Sequence, residues 1–519
     1  MKQIKIGSIR ALISAAVLIL FLLIFLGAKT LAASRLGVIL LSLQFVPSLL
    51  KAVSTAGVAI LSLAILVVAV GLFGRIYCSF LCPLGAFQDA LIFLARKIKR
   101  KRFGFKPSHG YIWYPILFLF VLAYAVGSLT LIDLLDPYSL FGRISVYLFK
   151  PLAEMVNNFL VFVTESFDIY LFLPVKIHQT PITVFSITSF FFLTVFILAT
   201  YHGRLYCNTL CPVGAFWGFL SRWSLFNFDL DPEKCTKCGK CAIRCKSGCI
   251  DFKAGSLDLS RCVSCFDCFD FCPERAVTYA LISKRRNNTR SDPSKRKLIL
   301  TGILAGTGLA FSSTPLRSAT GYLFSPPSPF PATPPGSLSW DHFSSYCIAC
   351  QLCVSVCHTH VLRPAFYEYG FKGFLQPSMD FTKGRCDYEC NACSKVCPTD
   401  AIIRLDLKSK KRTQIGVVQF IKEKCIVYTK NRDCAACAEV CPTHAVYTVT
   451  AKNIRHPKLK PEVCVGCGAC EFVCPVKETP KAIYVKANKV HAVAKPPFFQ
   501  KSTTPDTKVR PEVDEEFPF

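Results

Sequence analysis

Cys262-Val263-Ser264-Cys265-Phe266-Asp267-Cys268-Phe269-Asp270-Phe271-Cys272-Pro273 sets four cysteines at the spacing C-x2-C-x2-C-x3-C and follows the last with proline. The same spacing occurs at Cys235, Cys238, Cys241, Cys245, at Cys347, Cys350, Cys353, Cys357, and at Cys464, Cys467, Cys470, Cys474. Two further runs stretch the first gap: Cys386, Cys390, Cys393, Cys397 and Cys425, Cys434, Cys437, Cys441. Proline also follows the last cysteine at Pro398, Pro442 and Pro475. The six runs use 24 of the chain's 29 cysteines.

A tight loop can set three thiolates on three corners of one iron–sulfur cubane, while the fourth corner needs a thiolate from farther away. In the bacterial two-cluster ferredoxin run, the fourth cysteine of each run ligates the partner cluster. Cysteines at short spacing also bind zinc, but tetrahedral zinc sites use two cysteine pairs or Cys/His mixtures, not six serial runs of four. A disulfide framework is disfavoured because nearly every cysteine already has this better assignment. The spacing therefore predicts six [4Fe–4S] clusters held by these 24 cysteines, an electron wire. Lys246 stands where proline would follow Cys245, and Cys249 is an alternative to Cys245 as that ligand. His358 and His360, after Cys357, read as loop residues rather than ligands.

The chain is 52% hydrophobic and 18% charged, with mean hydropathy +0.39, too apolar for a purely soluble protein. The apolar residues concentrate before residue 230. Ala11–Gly27, Ser54–Phe73, Tyr111–Ile132 and Pro181–Tyr201 are long enough, and free enough of charge, to span a bilayer as helices. Leu36–Leu50, interrupted by Gln44 and Pro47, reads as an interfacial or re-entrant helix. Lys2, Lys5 and Arg10 precede the first span, and Arg96 to Arg102 is strongly basic. The loop after the third span carries Asp133, Asp136, Glu154, Glu165 and Asp168 instead. Positive-inside bias puts the N-terminus and the first two-cluster domain in the cytoplasm.

Beyond them, Lys284–Lys297 is basic and Leu298–Ser312 apolar, either an export signal of twin-arginine type or a fifth span. Both readings put the chain beyond about residue 315 outside the cytoplasmic membrane. Ser325–Gly336 is proline-rich and reads as an extended linker. The predicted organisation is a polytopic membrane domain over 1–230, a cytoplasmic two-cluster domain over 231–280 and a basic linker with anchor over 281–318. A Pro-rich linker over 319–338, an extracytoplasmic four-cluster domain over 339–494 and a disordered tail over 495–519 complete it. The fold class is thus a helical membrane domain of four spans plus a fifth anchor, with α+β two-cluster ferredoxin-like domains, one inside and a tandem pair outside. The formal net charge of +28 falls to about +16 once six oxidised clusters contribute about −2 each. Topology anchors account for much of that, so no nucleic-acid partner is required.

Four of the remaining cysteines sit in a duplicated phrase. Gly74-Arg75-Ile76-Tyr77-Cys78-Ser79-Phe80-Leu81-Cys82-Pro83-Leu84-Gly85-Ala86-Phe87 recurs as Gly203-Arg204-Leu205-Tyr206-Cys207-Asn208-Thr209-Leu210-Cys211-Pro212-Val213-Gly214-Ala215-Phe216. Each copy follows a predicted span, so the membrane domain is an internal repeat whose two copies are expected to face each other. If Pro83 and Pro212 open helices, Cys82 and Cys211 stand at helix N-termini. Cys78, Cys82, Cys207 and Cys211 then form a candidate redox-active site, as one metal centre or two redox pairs; structural cysteines in a tight turn are the plainer alternative. No histidine lies deep in a predicted span, His178 and His202 being at the ends, so no haem is expected.

These residues carry a family resemblance. The first 280 residues resemble the NapH type of membrane ferredoxin, with four spans, two CxxxCP phrases and a two-cluster domain. Residues from about 290 resemble the NapG type, an export-signal-like segment followed by four clusters. The resemblance implies a quinol dehydrogenase, with menaquinol the expected donor, that passes electrons to a periplasmic reductase such as nitrate reductase. Its partners would be the membrane lipid and quinol pool and an extracytoplasmic reductase or small redox protein. Related CxxxCP proteins serve nitrous-oxide reduction or copper handling, and an assembly factor handling copper at the four thiols is the rival reading. Asp133 and Asp136 are candidate proton acceptors for quinol, with loop acids before Pro137 the plainer alternative.

Overall fold

The computed structural model describes residues 6–54, 58–99, 103–105, 130–281 and 330–497 apart from a few single positions, with a few more between 115 and 120. The expected span Tyr111–Ile132, the basic linker and anchor, and the tail lie wholly or mostly outside them. The membrane part is built from α1 (Ile6–Leu26), α2 (Arg35–Ser42), α3 (Phe45–Ser54), α4 (Val58–Phe73), α5 (Ile76–Phe80) and α6 (Pro83–Lys99). A helical run α7 (Pro137–Glu165) comes next, then α8 (Ile182–His202), α9 (Leu205–Thr209) and α10 (Pro212–Leu220). Among the described residues α1, α7 and α8 are long and apolar enough to cross a membrane. Leu12, Ile19, Leu61, Val68, Phe190 and Leu193 are exposed on α1, α4 and α8, as lipid-facing positions would be.

The segment expected to be interrupted is so: α2 and α3 meet at an angle of 86°. Gln44 occupies the break and is fully buried. Its amide donates to the carbonyls of Leu40 and Leu81, both at 3.3 Å, and its oxygen accepts from the Tyr77 hydroxyl at 3.0 Å. The backbone freed by the break is thus repaired by a side chain, the condition for non-helical backbone at membrane depth.

The stretch after residue 136 differs from the loop expected there. Asp136 caps α7, accepting from the Ser139 amide at 2.8 Å, with Pro137 at the first helical position. The helix runs 29 residues through a π-turn at Ser145–Phe149. Lys150 and Glu154, which dilute the apolar pattern, are buried and paired at 3.8 Å. Lys150 also donates to the carbonyl of Ser355. Local neutralisation keeps the helix whole where composition alone reads as loop. Around it Phe25 packs on Phe141 at 5.9 Å and Phe87 on Phe149 at 5.9 Å; full burial of such a ring stabilises by roughly 1.5–3 kcal/mol.

The cysteine-rich parts are small antiparallel modules. In the first, β1 (Phe226–Leu230) precedes the first run and pairs with β2 (Val277–Leu281) after the second. The chain ends of the module are thereby tied together across both runs. The last module repeats this with β3 (Thr413–Phe420), a hairpin of β4 (Val446–Ala451) and β5 (Ile454–Leu459), and β6 (Ile483–Val493) paired to β3. In the middle module Leu362–Pro364 pairs with Pro377–Met379 between the two runs. Ala332–Ser337, part of the proline-rich stretch, is buried there, with the Met379 amide donating to the Ala332 carbonyl and the Ile403 amide to the Gly336 carbonyl, both at 2.9 Å.

The same segment meets β6 at His491, whose ring nitrogen lies 2.8 Å from the Thr333 hydroxyl. Burial pushes the His491 imidazole down to about 4, below the ordinary value of about 6.5. The unfolded chain therefore takes up a proton that the folded one refuses. This stability is complete above about pH 6.5 and is lost as pH falls toward 4, by at most about 1.4 kcal/mol per unit. Thermal unfolding of the protein between pH 7 and 5 should show this slope, and His491→Gln should flatten it.

Candidate redox site

Each of the two-run modules exchanges its last cysteine. Cys235, Cys238 and Cys241 line one pocket with Cys272 from the following run. Cys262, Cys265 and Cys268 line another with Cys245. Cys386, Cys390 and Cys393 share a pocket with Cys357, and Cys425, Cys434 and Cys437 share one with Cys474. The remaining cysteines obey the same rule. Cys353 stands in electrostatic range of Cys347, Cys350 and Cys397, and Cys470 in range of Cys467, Cys464 and Cys441. Among the described residues no three His, Cys, Asp or Glu side chains converge as they would on a single ion; the sulfurs ring apolar pockets instead. Backbone amides point at them, Gly466 to Cys464 at 3.3 Å and Ile402 to Cys397 at 3.5 Å. Four thiolates, an apolar wall and N–H···S bonds are the donor set that a [4Fe–4S] cluster takes.

Cys249 lines the same pocket as Cys245, 3.4 Å from it sulfur to sulfur, so either of the two alternative ligands reaches that ring. His358 pairs with Asp387 at 3.0 Å.

The two copies of the CxxxCP phrase interlock. Arg75 donates to the Cys207 carbonyl at 3.1 Å, and Arg204 donates to the Cys78 carbonyl at 2.7 Å. Both arginines are fully buried. Pro83 and Pro212 open α6 and α10 as expected, and the Gly85 and Gly214 amides donate to Cys82 Sγ at 3.4 Å and Cys211 Sγ at 3.2 Å. A Cβ at Gly85 would lie 2.3 Å from the Cys78 carbonyl, and at Gly214 2.0 Å from that of Cys207, so both positions require glycine. The structure brings all four thiols into mutual electrostatic range and buries them.

This quartet stands between two rings. Arg204 is within range of Cys78 and Cys207 on one side and Cys265 on the other. Arg75 donates to the Ser260 carbonyl at 3.0 Å and Ser79 to that of Val263, fixing the loop that carries Cys262 and Cys265. On the opposite side Tyr206 neighbours Cys207, Cys211, Asp136 and Arg143, and Cys350 lies near Asp136, Asp133 and Tyr138. Tyr147 donates to Gln351 at 2.8 Å. Asp133 and Asp136 are buried rather than solvated loop acids, and both Asp133 oxygens lack a hydrogen-bond partner among the described residues. Along α1, Arg10 meets the first module and Phe25 packs on Tyr138 and Phe141, a rise of about 22 Å at 1.5 Å per residue.

A buried charge cluster locks the first module to the membrane part. Asp89 meets Arg204 at 2.9 Å, Lys246 at 3.2 Å and Arg10. Lys246 also meets Asp267 at 3.2 Å. Burial opposes the charge on Asp89, yet Arg204, Lys246 and Arg10 together hold its carboxyl well below the usual carboxylate range. Sequence reasoning missed Asp89 because it lies two residues beyond the repeated phrase, where the second copy has Gly218. Lys246, read as a departure from proline, is one of the residues that make the dock. Asp89→Asn leaves three buried cations undercompensated and should destabilise the protein by roughly 3–5 kcal/mol, seen as a lowered thermal midpoint. Lys246→Pro should cost less, because Arg10 and Arg204 still hold Asp89.

Residues 55–101 and 185–230, which contain the two phrase copies, match a family described as 4Fe-4S binding domain. Residues 346–401 and 430–477 match one described as 4Fe-4S dicluster domain. The chain is 32% identical over 144 residues to the ferredoxin-type protein NapF of Escherichia coli K12, covering 28% of this chain and 79% of that protein. It is 31% identical over 195 residues to the methylamine utilization ferredoxin-type protein MauM of Methylorubrum extorquens AM1, covering 35% and 84%. To the ferredoxin-type protein NapH of Haemophilus influenzae Rd it is 26% identical over 215 residues, covering 40% and 62%. No solved structure matches it. With thiol rings built for iron–sulfur clusters and these relatives, the chain belongs to the ferredoxin-type 4Fe–4S proteins and is an iron–sulfur electron-transfer protein.

Proposed function

We propose that the protein is a membrane-bound quinol dehydrogenase that carries electrons from quinol, menaquinol being the expected donor, to an extracytoplasmic reductase or small redox protein. The observation that carries this reading is a succession of thiol groups, bridged by Arg204 on one side of the quartet and by Tyr206, Asp136 and Tyr138 on the other. It runs from the first module through Cys78, Cys82, Cys207 and Cys211 to Cys347, Cys350, Cys353 and Cys397. The 24 ring cysteines hold six [4Fe–4S] clusters, which supply one-electron steps. The CxxxCP quartet joins the cytoplasmic pair to the extracytoplasmic four. Sidedness rests on the basic residues near the N-terminus and on the contact of the two modules with opposite ends of α1.

Quinol oxidation releases two protons with its two electrons. Asp133 and Asp136 serve as acceptors beside the junction of quartet and first outer ring; burial favours the protonated form of both, and the Asp133 oxygens have no hydrogen-bond partner among the described residues.

Anaerobically reconstituted protein should hold about 24 iron atoms per chain, and a menaquinol analogue should reduce its clusters, followed by EPR. In the variant with all four quartet cysteines changed to serine, quinol should reduce only one of the two cluster sets, while dithionite still reduces both. Asp133→Asn should slow the quinol reaction at least about tenfold, a barrier change of about 1.4 kcal/mol, and leave dithionite reduction unchanged. If quinol reduces no cluster in fully loaded wild-type protein, the dehydrogenase reading fails. If both sets respond normally in the quartet variant, the relay fails.

A further inference from the structure

The outer rings have a linear order. The ring of Cys347, Cys350, Cys353 and Cys397 faces the membrane part, and Cys353 is in range of Cys393 in the next ring. That second ring touches the third, the Cys386 amide donating to the Cys467 carbonyl at 2.9 Å, with Cys467 and Cys386 in electrostatic range. The third ring reaches the fourth through Cys470 and Cys437. Beyond that link, Cys425 and Cys437 have cysteines of their own ring as their strongest charged neighbours. The ring of Cys425, Cys434, Cys437 and Cys474 is therefore the end of the line.

This end ring is also where the cysteine spacing departs furthest from the other runs. The widened gap between Cys425 and Cys434 is not slack chain. It begins as a helical turn, Ile426–Thr429, with Val427 buried under the ring. The Lys430 amide closes the turn on the Ile426 carbonyl at 3.0 Å. Asp433 ends the insert, held by Arg455 at 2.7 Å through the side chain and 2.8 Å through the backbone amide. Arg455 meets Glu439 as well, so that group is left with one net negative charge. Glu478 is likewise paired, with Lys424 at 3.9 Å. Lys422, Lys430, Arg432 and Lys477 remain exposed around the ring without an ion-pair partner among the described residues, and Glu423 is the exposed acid beside them. Pro475, which follows the ring cysteine Cys474, is exposed between them.

We infer that this cationic rim is the electron exit, the docking surface for a soluble electron-accepting protein whose own redox centre is ringed by acidic residues. The inference rests on the outward direction of flow in the proposed function. Charge complementarity of this kind acts chiefly on the encounter rate and weakens with salt. Exposed cations such as Lys383, Arg385 and Lys395 also flank the second ring, so what singles out the last rim is its place at the end of the line, where a partner can collide productively.

The test bypasses quinol. The full-length protein in nanodiscs is reduced with dithionite, freed of excess reductant and mixed with two soluble haem proteins of matched potential, one acidic and one basic. At low salt the acidic acceptor should be reduced at least about tenfold faster, with a rate that falls steeply as ionic strength rises. The variant carrying Lys422→Glu, Lys430→Glu, Arg432→Glu and Lys477→Glu should lose that preference while keeping the wild-type EPR spin count. A control with Lys395→Glu and Lys408→Glu, beside the middle rings, should behave as wild type. Equal rates with the two acceptors would overturn the inference, as would equal slowing by the control. Because electrons come from dithionite, neither result depends on whether quinol is the donor.

Discussion

Arg75 and Arg204 each reach across a pseudo-symmetric interface to the carbonyl of the other copy's first cysteine, and the rest of the molecule is indexed from that exchange. A buried guanidinium costs several kcal/mol unless its donors are used, so each arginine must find acceptors, and a main-chain oxygen of the opposing phrase is among them for both. Main-chain acceptors cannot swing away. The two CxxxCP turns are therefore fixed relative to each other, and the four thiols with them. Since Arg75 also holds Ser260 and Arg204 also holds Asp89, the same clasp sets where the first ferredoxin module rests.

A second constraint is topological. A run of three closely spaced cysteines must borrow its fourth from another run, so clusters of this kind come in pairs and each pair has two ends. One end of the middle pair faces Tyr138 and Tyr147; its other end faces the last pair. Joining such pairs by short segments leaves little choice but a line. The strand pairs that close the modules, β1 with β2 and β3 with β6, keep that line from fraying where each pair begins and ends.

The rings were legible because ligand spacing is a local property, and the exchange of fourth cysteines comes from the same spacing. The phrase repeat likewise announced two turns brought together, and Gln44 with Pro47 announced the broken helix. What the sequence hid was every feature that depends on a distant partner. Lys150 and Glu154 looked like loop residues because their mutual pairing, and the Ser355 carbonyl beneath Lys150, are invisible in composition. Asp89 lay outside the repeat that drew attention, and its meaning comes from three cations contributed by α1, by the start of α9 and by the first module. Asp133 and Asp136 could be named as candidate proton acceptors, but their burial was hidden, because no hydrophobic pattern reveals that Cys350 and Tyr138 will pack near them.

The basic character of the chain divides into two physical roles. Lys246 and Arg204 are buried close to Cys265, where the low dielectric makes a fixed cation act strongly on any charge added nearby. There the two cations favour an extra electron while their partners Asp89 and Asp267 oppose it, and salt screens that balance little. Lys422, Lys430, Arg432 and Lys477 stand in water around the last ring, where the same charge is screened within about 10 Å at 0.1 M salt. It can do little to the ring and much to an approaching partner. Burial thus converts a lysine from a steering charge, felt by whatever approaches through water, into a tuning charge felt by the groups packed around it.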